Sequence, residues 1–196
     1  MAQMTTLVTG FEPFGGASVN VSEEIVTALA ALGRPGLVTA VLPTSYRRSE
    51  AAIGELLHRH RPATVLLLGL AGSAEKLRLE QVALNLNDAA APDNDGECRE
   101  RRPIVEEAPV AYRSTLPLER MAATARRLGE EVEFSRDAGG YVCNHVFFTA
   151  AHLAATTFPE TRTGFVHLPD LGPDVGKAEP RLQRFVDILQ TWIEEA

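Results

Sequence analysis

The stretch GGYVCNHVFFTAAHLA, residues 139–154, places Cys143 just after two glycines, at the start of an apolar helical pattern. Gly139 and Gly140 let the chain turn sharply. A helix N-terminus stabilises a thiolate, and its backbone N–H groups suit a developing oxyanion. Cys143 is therefore a candidate nucleophile. A small buried hydrophobe fits the same residues. A metal ligand fits poorly, because zinc sites usually show paired ligands. His145, two residues on, stands about 200° around a helix of 3.6 residues per turn.

A cysteine nucleophile needs a base that is near in the fold though distant in sequence. Of the five histidines, His58 and His60 end a polar helix and read as solvated. His145 and His152 lie on the helix after Cys143, where His145 could brace the preceding loop. His167 ends the apolar strand GFVHLP, at the strand-end position where α/β sites are built. A purely structural strand-end histidine is the competing reading. The imidazole wants an acceptor to orient it. Glu80 stands inside the apolar alternation LRLEQVALNL, where a half-buried carboxylate needs a partner; an exposed strand position is the other explanation. The turn GFEPFGG, residues 10–16, lacks the Lys and Ser/Thr of a phosphate loop. Its two phenylalanines, Phe11 and Phe14, suit an apolar clamp for a flat ligand, or a hydrophobic staple.

The elements that must position these residues alternate along the chain. TTLVTGF, LVTAVLP, ATVLLLGL, EVEFS and RTGFVHL read as strands, and LRLEQVALNL as one further strand. VSEEIVTALAAL reads as a helix capped by Ser22 and stopped at Gly33. SEAAIGELLHRH, LPLERMAATARRLG, residues 144–155 and EPRLQRFVDILQTWIEE read as the other helices. Residues 87–115 are rich in Asp, Pro, Asn and Gly with no period of their own, which predicts a long functional or disordered loop. Strand–helix alternation predicts an α/β class with a mostly parallel sheet. Residues 1–196 read as a single domain.

Composition narrows the function classes. The chain has 196 residues, 45% apolar and 23% charged, with a net charge of −7 and no long basic run. Nucleic acid is thus not the expected partner, since phosphate binding needs a concentrated positive face. No apolar stretch reaches the roughly 18 residues of a membrane helix. The start, MAQMTTLVTG, lacks a secretory signal pattern. Two cysteines, Cys98 and Cys143, make no disulfide framework. A cytoplasmic setting is expected.

Four stretches together resemble one family, the pyroglutamyl peptidase I or pyrrolidone-carboxylate peptidases. They are VTGFEPFGGASVN, GLAGSAEKLRLEQVALNLNDAAAPDNDG, AGGYVCNHVFF and GFVHLP, in family order and spanning nearly the whole chain. The resemblance implies a three-layer α/β/α fold with a mostly parallel or mixed sheet. It implies a cytoplasmic cysteine peptidase that removes N-terminal pyroglutamate from peptides without a cofactor or metal; a homo-oligomer, dimer or tetramer, is compatible with it. It implies Cys143 as nucleophile, His167 as base and Glu80 as the group orienting His167. Phe11, Phe14, Tyr141 and Val142 would wall the lactam pocket.

This chain also departs from the family pattern. Leu70 stands where a glutamine is expected, and Ala91 where a pocket isoleucine is expected. Ala74 and Ala90 replace arginines, Gln81 replaces the arginine after the glutamate, and Tyr141 replaces a phenylalanine. The chemistry is expected to survive with an altered pocket. A divergent hydrolase of the same mechanism, with another acyl or lactam specificity, and a non-catalytic binder on this scaffold are the competing expectations.

Overall fold

The central strands are apolar on both sides because helices cover both sides. The structure is a computed structural model and describes residues 5–172 and 180–195. Its main sheet contains β1 (Thr6–Phe11), β2 (Leu37–Leu42), β3 (Thr64–Leu70), β4 (Leu77–Glu80), β9 (Val132–Ser135) and β10 (Arg162–Leu168). The spatial order is β2-β1-β3-β10-β4-β9. The first four of these are mutually parallel; β4 runs antiparallel to β10 and parallel to β9, so the sheet is mixed.

Side chains alternate across each strand. Val8, Leu66, Leu68 and Val166 face one layer, with α1 (Val21–Ala31), α3 (Leu118–Arg127) and α5 (Pro180–Glu194). Leu7, Val65, Leu67 and Phe165 face the other, with α2 (Tyr46–His60) and α4 (Val142–Thr156). The result is three layers, helices on sheet on helices. His167 shares the second face with Phe165, two residues before it.

Several expectations need correction. Asn20, not Ser22, caps α1: its side chain accepts the Ser22 N–H at 3.0 Å, and Ser22 itself is buried in the first turn. Helix α2 begins at Tyr46, capped by Ser45. Residues 77–86 do not form one strand. The chain leaves the main sheet after Glu80, and β5 (Val82–Leu84) pairs instead with β8 (Ala111–Arg113). Residues 87–115 are not a structureless loop either. They include β8 and a small pair of their own, β6 (Asn87–Ala89) with β7 (Arg99–Arg102). These strands are three or four residues long, too short to show a period. The last helix was expected from residue 179, which lies outside the described residues; α5 is described from Pro180.

Candidate active site

Helix α4 starts one residue before Cys143, so the cysteine sits in the first turn. Two glycines bring the chain there for different reasons. Gly139 has a φ of +82°, which a side chain would strain. Gly140 lies against the Asp88 backbone, where a Cβ would come within 2.4 Å of the Asp88 carbonyl oxygen. The Asp88 N–H donates to the Gly140 carbonyl at 2.9 Å, fixing this approach. The first amides of a helix have no intrahelical partner, so the α4 start presents free N–H groups beside the thiol.

His167 reaches the same place from the C-terminal end of β10. Its Nδ1 donates to Glu80 Oε1 at 2.8 Å, and both residues are buried, Glu80 completely. That leaves Nε2 on the ring's other edge, and Cys143 is among the groups that act on the imidazole. Burial by itself lowers the imidazole's pKa. The hydrogen bonds and charges of Cys143 and Glu80 outweigh it and raise the value to about 9. The second carboxylate oxygen, Glu80 Oε2, is buried without a partner among the described residues. The imidazole is therefore the side-chain partner that holds the Glu80 carboxylate among the described residues.

One contributor escaped the sequence reading. Gly69 on β3 is the register partner of His167. A Cβ there would stand 2.9 Å from Cys143 Sγ and 2.7 Å from the Phe165 ring. The thiol occupies the space a side chain would take. A glycine inside a buried strand is the signal for such close approach. Asn144 was also missed. Its side chain accepts from Leu84 N at 3.0 Å and donates to the Leu84 and Leu86 carbonyls, tying β5 to the helix start. On the other side of the helix His145 is fully buried, with Nδ1 at 3.2 Å from Asn87 Oδ1 and Nε2 at 3.2 Å from Glu50 Oε2. His145 thus braces β6 and α2. His58 is exposed, and His152 contacts the Tyr112 hydroxyl.

The expected pocket residues are only partly together. Phe14 packs on Tyr141, ring centroids 5.9 Å apart, and Tyr141 meets the Tyr46 ring edge-on at 5.8 Å. Phe11 and Val142 are buried in the core cluster against which Tyr141 packs. Leu70 is different: its side chain packs into the cluster on the opposite face of the sheet, so only its backbone can serve this site. Ala91 is exposed on the segment after β6. A cavity of about 550 Å³ beside Arg61, Pro62 and Phe158 lies at the other end of β3 and β10 and includes none of these residues. Among the described residues no group of three or more His, Cys, Asp or Glu side chains is placed to hold a metal ion, and no helix is long and apolar enough to cross a membrane.

A buried Glu–His pair beside a cysteine at a helix start is a constellation for acyl transfer. Comparison with known proteins decides the family. The family model described as pyroglutamyl peptidase matches residues 4–182. This chain belongs to the pyroglutamyl peptidase family. A pyrrolidone-carboxylate peptidase of Gloeobacter violaceus is 42% identical over 170 residues, 86% of this chain and 82% of the relative. One from Streptomyces coelicolor is 42% identical over 165 residues, 83% of this chain and 76% of the relative. Among solved structures, the pyrrolidone carboxyl peptidase of Fervidobacterium islandicum superposes with a TM-score of 0.89 at 33% identity, covering 97% of each chain. The pyroglutamyl peptidase I of Bacillus amyloliquefaciens gives 0.88 at 32% identity, covering 96% of this chain and 94% of that one. The pyroglutamyl peptidase fold is thus shared by structures that cover almost the whole chain.

Proposed function

We propose that this chain hydrolyses the amide bond after an N-terminal pyroglutamyl residue of peptides, with Cys143 as nucleophile, His167 as acid and base, and Glu80 orienting His167. The Glu80–His167 bond of 2.8 Å, with the Cys143 sulfur against Gly69, the strand partner of His167, carries the reading. The Cys143 thiolate attacks the carbonyl carbon that follows the lactam ring. Free amides at the α4 start hold the oxyanion. The tetrahedral intermediate collapses as protonated His167 gives its proton to the leaving amine, and a thioester remains. His167 then takes a proton from water, whose oxygen attacks the thioester; pyroglutamate leaves and the thiol is restored. No cofactor or metal enters these steps.

The acyl group suits the walls. Pyroglutamate carries no ammonium group, so it can lie against Phe14 and Tyr141 without stranding a charge. A free N-terminus would bring that charge to an apolar wall at a high desolvation cost. The working unit is a single catalytic domain in the cytoplasm, and a homo-oligomer is compatible with it.

A second reading keeps the mechanism and changes the acyl group. It is favoured by the exposed Ala91 and by Leu70 turning to the other face of the sheet. The test of both is a pyroglutamyl fluorogenic amide assayed beside a panel of other acyl and aminoacyl amides. Preference for the pyroglutamyl amide, abolished in Cys143→Ala, is expected. Preference for a bulkier uncharged acyl group would establish the second reading, and no turnover of any amide would leave a binder.

A further inference from the structure

The segment Ala90–Pro92 is held by donors from outside it. The Tyr141 hydroxyl donates to the Pro92 carbonyl at 2.9 Å, and the Cys98 thiol donates to the Ala90 carbonyl at 3.3 Å. Exposed Ala91 lies between these two points. On either side the chain is fixed more firmly. Before the segment, Asp88 is bonded to Gly140. After it, the buried Asp93 carboxylate accepts the N–H groups of Tyr46, Asp95 and Glu97 at 2.8–2.9 Å. Asn94 then reaches the Pro13 carbonyl at 2.9 Å and Glu12 Oε1 at 3.0 Å. Residues 90–92 are thus a short bridge between two anchors, and the Tyr141 hydroxyl is the strong donor that reaches it from the residue preceding the helix that bears the thiol.

Tyr141 joins the aromatic pair to the Ala90–Pro92 segment. Its ring faces Phe14 and Tyr46, its hydroxyl holds Pro92, and Cys143 follows two residues later. We infer that the Tyr141 hydroxyl is a specificity latch, which holds Ala90–Pro92 at a set distance from the Phe14–Tyr141 pair so that the site takes a small, flat, uncharged acyl group and rejects a bulkier one. This inference rests on the proposed function. A phenylalanine at position 141 would keep the ring contacts but supply no donor, so hydroxyl and ring are separable. Burial and the neighbouring Asp93, Cys143 and Cys98 push the phenol's pKa up to about 12, so it stays a donor at any working pH. A thiol is a weak donor, and Cys98 is the minor arm.

The test compares the unaltered chain with Tyr141→Phe and Cys98→Ala on two uncharged substrates, a pyroglutamyl amide and an N-acetylprolyl amide. Alkylation of Cys143 by iodoacetamide serves as an independent readout. In Tyr141→Phe, KM for the pyroglutamyl amide should rise about tenfold, the size of one hydrogen bond. Its kcat should change less than about twofold, the preference over the N-acetylprolyl amide should narrow by a similar factor, and alkylation should keep its rate. Cys98→Ala should raise KM less than Tyr141→Phe does. Unchanged KM and preference in Tyr141→Phe, with the unaltered chain active, would overturn the latch alone. So would a loss confined to kcat with slowed alkylation, which places the hydroxyl's effect at the nucleophile. An unaltered chain that alkylates normally but turns over no pyroglutamyl amide would overturn the functional reading and the latch with it.

Discussion

Cys143 Sγ lies in the space that a side chain at Gly69 would fill. The absent Cβ of Gly69 would stand 2.9 Å from the sulfur, tighter than real contacts allow, and the Phe165 ring blocks the alternative at 2.7 Å. The strand partner of His167 is thus bare so that the thiol can come close. Gly69→Ala should displace the sulfur from the imidazole. A misplacement of about 1 Å costs on the order of 10²-fold in rate, and overpacking costs about 1–3 kcal/mol of stability. Steady-state kinetics with a thermal melt check this: full activity in a folded Gly69→Ala chain would mean that the Cys143–Gly69 contact does not matter.

The raised pKa of His167 sets a pH dependence. Above about 9 the imidazole loses the proton that the leaving amine needs, so kcat/KM should fall through an alkaline limb near pH 9. The same shift bears on stability. A raised folded-state value stabilises the fold fully below the unfolded value of about 6.5, and that contribution fades as pH rises through about 9. Glu80→Gln keeps the shape but removes the anion, so the limb should move to lower pH and Cys143 alkylation at neutral pH should slow. An unmoved limb in Glu80→Gln would show that Glu80 does not support the imidazolium.

Replacing Cys143 and His167 should separate their proposed roles. Cys143→Ala should abolish turnover, and iodoacetamide should inactivate the native chain through Cys143 even though Cys98 is the more exposed thiol. His167→Ala should lower kcat by at least about 10²–10⁴-fold, the usual share of a general base. Mass spectrometry of the alkylated peptides identifies the modified thiol. Inactivation tracking Cys98 instead would remove Cys143 from its assigned role.

His145 is buried two residues from Cys143, with its ring nitrogens towards Asn87 and Glu50. His145→Ala leaves polar groups without partners and opens a hole beside Tyr46, whose ring it meets edge-on at 5.4 Å. The expected loss is about 1–3 kcal/mol of stability, with a smaller fall in kcat than in His167→Ala. Chemical denaturation and kinetics on both variants decide it. A larger catalytic loss at His145 than at His167 would reverse the two assignments.

Local signals in the sequence determined much of this protein. The apolar runs at Thr6–Phe11, Thr64–Leu70 and Arg162–Leu168 are strands buried on both faces, because only a doubly covered sheet takes such runs. Two glycines before Cys143 and an apolar helical period after it placed the thiol at a helix start. His167 was placed at a strand end by the proline behind it. Tertiary structure alone decided how those pieces meet. The reversal of β4 against β10 sets Glu80 opposite Phe165, on the face that bears His167, and no local pattern specifies a strand's direction or neighbour. The break after Glu80 and the short strands β5 to β8 depend on partners up to about thirty residues away, and three-residue strands have no period to read. The capping of α1 by Asn20 rather than Ser22 turned on which side chain the fold left free at the helix start. The side of the sheet on which Leu70 and Gly69 fall follows from strand parity and from which helices cover each face, and that put the leucine in the far core and the bare glycine beside the thiol.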